Sequence, residues 1–155
     1  MKITLMKNIF TKAISEEVIQ RINKLNKDSK GQWGKMSVGQ MLAHCNVAYE
    51  MVYEDIHKKP GAFVRFMLKL LVKNSVVNEK PYPKNSKTAP QFIIKGSKNF
   101  EQEKVRLIGY IERTQTLGES HFDQKSSHSF GPLSITEWNN LFYKHLDHHM
   151  TQFGV

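Results

Sequence analysis

Residues Ser134 to Val155 read SITEWNNLFYKHLDHHMTQFGV. Ser134 followed three positions later by Glu137 is a capping-box pattern, which opens a helix by satisfying two of its free backbone N–H groups. Trp138, Leu141, Phe142, His145, His149 and Gln152 then recur at steps of three and four, one face of a helix expected to run to about Phe153. His145 and His149 sit one turn apart on that core-facing stripe. Two imidazoles at this spacing can share one metal ion, because their ring nitrogens can converge on a point about 2 Å from each. Two ligands do not close a site, so a third has to come from elsewhere in the chain.

Three more helices are expected upstream. The first begins near Thr11 or Ser15 and runs to about Asn26, with Phe10, Ile14, Val18, Ile22 and Leu25 on one face. Ser15, ahead of Glu16 and Glu17, fits an N-cap with acids in the first turn. Residues 1–9 read as an extended arm or irregular start. The stretch NKDSKGQWGKM, residues 26–36, is a connection whose Trp33 is expected to pack on the end of the bundle. Ser37 and Gln40 form a second capping box, and the helix behind it is expected to reach about His57. Its apolar stripe is Val38, Met41, Leu42, Cys45, Ala48, Tyr49, Val52 and Ile56. His44 lies on the edge of that stripe and can face the interior. Pro60-Gly61 ends the helix.

Residues 63–72 read as a short helix that is apolar on most sides, with Arg65, Lys69 and Lys73 along one strip. NSVVNEKPYPKNSKTAPQF, residues 74–92, carries three prolines and reads as a long irregular crossover. The next long helix is expected from about Ser97 to Thr116. A loop over residues 117–133, LGESHFDQKSSHSFGPL, then carries His121 and His128. The expected fold class is all-α. It is a four-helix bundle with a long crossover between helices 2 and 3 carrying a short extra helix, one domain over residues 1–155.

The totals bound the function. A chain of 155 residues with 39% hydrophobic and 24% charged residues can build a core without staples. A single cysteine, Cys45, excludes an intrachain disulfide. The N-terminus is too interrupted by lysine for a signal peptide, and residues 63–72 are too short to span a bilayer. No membrane association is expected, and the cytoplasm is the expected location. Residues 58–98 hold ten basic residues and one acid, which accounts for the whole net charge of +9. Three readings of that segment are open: a solvated lysine-rich surface, a rim that attracts an anionic cosubstrate, and nucleic-acid binding. The last ranks lowest, because the aromatics Phe63, Phe66, Tyr82 and Phe92 are not interleaved as a stacking platform.

Trp33 to Cys45 reads W-G-x-M-x-x-x-Q-M-L-A-H-C, Phe130 to Trp138 reads F-G-x-L-x-x-x-x-W, and Lys144 to Gly154 reads K-H-L-D-H-H-x-x-Q-F-G. In this order, with the crossover PYPKNSKTAP, they resemble an uncharacterised bacterial branch of the DinB-like superfamily of metal-binding four-helix bundles. The resemblance covers nearly the whole chain. By motif position, it implies a metal triad of His44, His145 and His149. Three neutral imidazoles suit a divalent Zn²⁺ or Ni²⁺ ion, with one position left for water or substrate. His148, three residues after His145, is the competing ligand.

In the resembled enzymes the metal activates a low-molecular-weight thiol for transfer or isomerisation, and a hydrolase would leave the same three histidines. The alternative is a metal- or small-ligand-binding stress protein without turnover. His128, just before Phe130-Gly131, is a candidate proton-transfer group that could close over the site, set against an ordinary loop histidine. Cys45 lies on the apolar stripe and reads as a buried, inert thiol. His57 and His121 have no partner argument, and Gln152 extends the site face by one turn. Related bundles are often dimers, and the short apolar helix is a candidate contact for a homodimer.

Overall fold

The computed structural model describes residues 6–155. Most of the arm expected over residues 1–9 therefore lies outside the described residues. In chain order the helices are α1 (Lys12–Asn23), α2 (Val38–Tyr53), α3 (Ala62–Leu71), α4 (Lys73–Val77), α5 (Phe100–Phe122) and α6 (Ile135–Gln152). A 3-10 turn, Pro90–Phe92, interrupts the crossover. A two-residue antiparallel ribbon joins α5 to α6, with β1 (Ser126–Ser127) paired to β2 (Gly131–Pro132). That ribbon is a departure from the expected all-helical chain. α1 and α2 each pack against both α5 and α6, and α5 also touches α6. No helix among the described residues is long and apolar enough to cross a membrane.

Both capping boxes form as read. Ser37 accepts from the Gln40 N–H while Gln40 accepts from the Ser37 N–H, and Ser134 and Glu137 do the same. Four expectations are corrected. Thr11, not Ser15, caps α1: its hydroxyl accepts from Ile14 N–H, while Ser15 sits buried inside the helix and donates to Lys12 O. α2 stops at Tyr53, short of His57, where Glu54 turns to an extended conformation. The crossover is not wholly irregular, since Lys73–Val77 forms α4, its Val77 buried. α5 runs past Thr116 to Phe122. Gly118 at φ +72° breaks it there, and the chain then resumes helical geometry and buries Phe122.

α2 is central, with every residue from Met41 to Glu50 buried. The core beside it is aromatic. Tyr49 stacks on Phe142 at 4.8 Å, Phe142 stacks on Trp138 at 5.4 Å, and Phe122 meets Trp138 and Phe142 edge-on. Burial of each such ring contributes about 2–3 kcal/mol. Lys144 pins the crossover onto α6 by donating to Ser75 O, Asn78 O and Asn78 Oδ1. α3 lies outside this core. None of its residues is buried, and Phe63 and Leu71 are more than 70% exposed.

Candidate metal centre

α2 and α6 bring His44, His145 and His149 together, each offering a nitrogen within 4.8 Å of the others. His44 and His149 are buried, and His145 is the partly exposed member. No acid or thiol joins the cluster among the described residues.

The unused nitrogens show which atoms are free. His44 Nδ1 lies 2.8 Å from Phe92 O, at the end of the 3-10 turn. A carbonyl oxygen only accepts, so Nδ1 carries the proton and Nε2 keeps its lone pair. His149 Nδ1 lies 2.7 Å from Gln152 Oε1. The Gln152 amide is oriented in turn, because its Nε2 donates to Trp33 O at 2.8 Å. His149 Nδ1 is therefore also a donor, and its Nε2 is free. His145 Nε2 lies 2.9 Å from His44 Nε2. Carbonyl and amide groups that hold the far nitrogen of an imidazole are the usual outer support of a metal ligand.

All three rings are held neutral. Burial pushes His149 down to about 3, with the neighbouring His44 adding to it against the Gln152 hydrogen bond. Burial also lowers His44, opposed by the Phe92 carbonyl. His145 is pushed well below the ordinary range by burial and then by His149 and His44. Neutral imidazole is the form that binds metal. Three converging neutral imidazoles with no acid, two of them presenting a free Nε2 lone pair, fit a borderline divalent ion that prefers nitrogen.

His148 stays out of the cluster. Its ring meets the edges of Trp33 and Tyr82, each at 5.7 Å. The structure does not bring His128 to the histidines. Its Nε2 donates to His57 O at 3.2 Å, and it stands beside Val52 and Trp138. Val52 is eight residues from His44, about 12 Å along the helix. His57 bonds Glu50 Oε2 at 2.7 Å, and His121 is exposed. Cys45 is fully buried, and burial pushes its thiol up, so it is inert.

The sequence left three contributors without a role. Phe92 anchors His44 from 48 residues away, and no local pattern marks that contact. Gln152 had a signal, since it sits three residues after His149 on the same face. Gly34 supports Gln152. Its φ is +80°, and a Cβ there would stand 2.7 Å from Gln152 Nε2.

A family model described as Protein of unknown function (DUF1569) matches residues 6–154, and the chain belongs to that family. No curated protein and no solved structure matches the chain.

Proposed function

We propose that the chain is a metal-dependent enzyme built as a four-helix bundle of the DinB-like type, with a divalent ion, Zn²⁺ or Ni²⁺, held by Nε2 of His44, His145 and His149. The observation that carries this reading is the pair of outer hydrogen bonds, Phe92 O to His44 and Gln152 to His149, which leave both Nε2 atoms unprotonated. When bound, the ion supplies a Lewis acid with an open position, able to lower the pKa of a thiol or a water. Phe92 meets the edges of the His44 and His145 rings and keeps water from that flank. The DinB-like resemblance favours a low-molecular-weight thiol as cosubstrate, used in transfer or isomerisation, with hydrolysis as the other reaction class.

A second reading has its own support. No carboxylate stands with the three histidines among the described residues, so nothing acidic there can shuttle a proton. That favours a metal- or ligand-binding protein without turnover.

Metal analysis of the purified protein and of His145→Ala tests the site: about one ion per chain is expected in the first and far less in the second, and equal content in both overturns it. Thermal shift with low-molecular-weight thiols, with and without chelator, separates the readings. Stabilisation that requires metal supports the thiol enzyme. Its absence with every thiol removes the thiol enzyme and leaves hydrolysis or the non-catalytic reading.

A further inference from the structure

A second polar site lies at the C-terminal end of α2, about two turns beyond His44. A cavity of about 200 Å³ opens there, with Val52 of α2 and Trp138 of α6 in its lining. Lys59, Arg65, Lys125 and His128 supply its basic wall, and Ser126 and Ser127 add hydroxyl groups. Lys59 precedes α3, Arg65 is in its first turn, and Lys125 and His128 flank β1. The fold, not the local sequence, gathers these groups.

Their charge is unmatched. Elsewhere Arg21 pairs with Asp147, Lys73 with Glu137, and Arg106 with Glu50 and Glu103, while the buried Lys144 is satisfied by carbonyl and amide oxygens. Among the described residues, Lys59, Arg65 and Lys125 have no ion-pair partner, and no Asp or Glu lines the cavity. Arg65 and Lys125 are half-buried, so solvent screens them incompletely. His128 does not add a fourth charge. Its Nε2 donates to a carbonyl, and its Nδ1 lies 3.0 Å from the Ser129 hydroxyl, which donates to it. Burial lowers its pKa, and the charges of His57, Lys59 and Arg65 act in the same direction against the His57 carbonyl. Like charges gathered round a small concave space repel one another and concentrate anions from solution.

We propose that this cavity binds a phosphate group, free or as the end of a small phosphoester. Three cations carry +3. A phosphate dianion reduces this to +1, whereas a carboxylate leaves +2. Arg65 can fork two phosphate oxygens while the lysines act as point charges. The room, equivalent to about six or seven waters, suits a phosphate with little attached. The site stands about 12 Å along α2 from His44 and does not depend on the metal reading.

Calorimetry on the chelator-treated full chain, at constant ionic strength, tests it with inorganic phosphate, methyl phosphate and acetate. Saturable binding of one phosphate per chain is expected, at least tenfold tighter than acetate. Arg65→Gln and Lys125→Gln should each weaken it at least tenfold. Lys69→Gln, which removes an exposed charge one turn further along α3, should change it less than twofold, as should His145→Ala. Melting curves report whether each variant is folded, and either cavity variant suffices. Methyl phosphate binding as well as inorganic phosphate indicates a phosphoester, and much weaker binding indicates the free ion; both keep a phosphate group as the ligand. No saturable binding, acetate equal to phosphate, or equal weakening by Lys69→Gln overturns the proposal. Binding lost in His145→Ala but retained in Arg65→Gln also overturns it, by placing the anion at the histidines.

Discussion

His149 Nδ1 stands 2.7 Å from Gln152 Oε1, and this contact determines which nitrogen of His149 is free. Gln152 is itself fixed by its donation to Trp33 O, so the loop before α2 reaches the histidine cluster through one side chain. Gln152→Leu keeps the size of the side chain and removes the acceptor. Metal affinity should fall about 10–100-fold, the usual cost of losing an outer partner of a histidine ligand. Competition with a chromogenic chelator reads this directly, and an unchanged affinity would show that the contact is merely structural.

Gly34→Ala should act through the same residue. The backbone there has φ +80°, and the added Cβ would meet Gln152 Nε2 at 2.7 Å. Strain of about 1–2 kcal/mol is expected in urea unfolding. Metal affinity should also drop, because Gln152 is displaced from His149. The double variant Gly34→Ala/Gln152→Leu should bind metal no worse than Gln152→Leu alone, since residues acting in series are not additive. Additive losses would separate the two effects.

Local chemistry was legible in the sequence. Ser37/Gln40 and Ser134/Glu137 are satisfied within one turn, so their spacing states the helix starts outright. The four-residue step from His145 to His149 and the place of His44 on its stripe likewise follow from helix geometry. What escaped was set by distant contacts or by backbone freedom. Thr11 and Ser15 are both acceptable caps in isolation, and Ser15 is taken by burial against the core instead. The helix expected to end at Thr116 continues instead, because φ +72° at Gly118 lets the chain turn and Phe122 gains a place among Phe10, Trp138 and Phe142. The Phe92 carbonyl comes from a crossover whose path depends on Lys144 and Asn78, and no periodicity encodes that path.

Glu50 offers a test of the buried ion network. Its side chain is 9% exposed, and its two oxygens accept from Arg106 and His57. Arg106→Ala removes one partner and leaves a buried carboxylate half-satisfied. A loss of about 1–3 kcal/mol is expected in chemical denaturation at pH 7. Lys12→Ala breaks only an exposed pair with Glu16 and should stay within about 0.5 kcal/mol. Similar losses in both would mean that Glu50 finds replacement partners.

Glu137 ties α4 to α6 through its contact with Lys73 Nζ at 2.8 Å, while it also caps α6. Burial raises its carboxyl, but the Lys73 ammonium and the Ser134 N–H outweigh this and hold it below the ordinary range. As pH falls, the unfolded chain therefore takes up the proton first. The contribution is complete above the ordinary carboxyl value of about 4.3 and is lost as pH falls through the lower folded value. Glu137→Gln keeps the capping box, whose third position accepts Gln as well as Glu, and removes only the charge. The variant should be less stable than the parent by about 1 kcal/mol at pH 7. The gap should hold down to about pH 5 and shrink towards zero in the acid limb, below about pH 4. Urea unfolding of both proteins across that range measures it, and a gap that persists undiminished at the acid end would assign the loss to packing instead of charge.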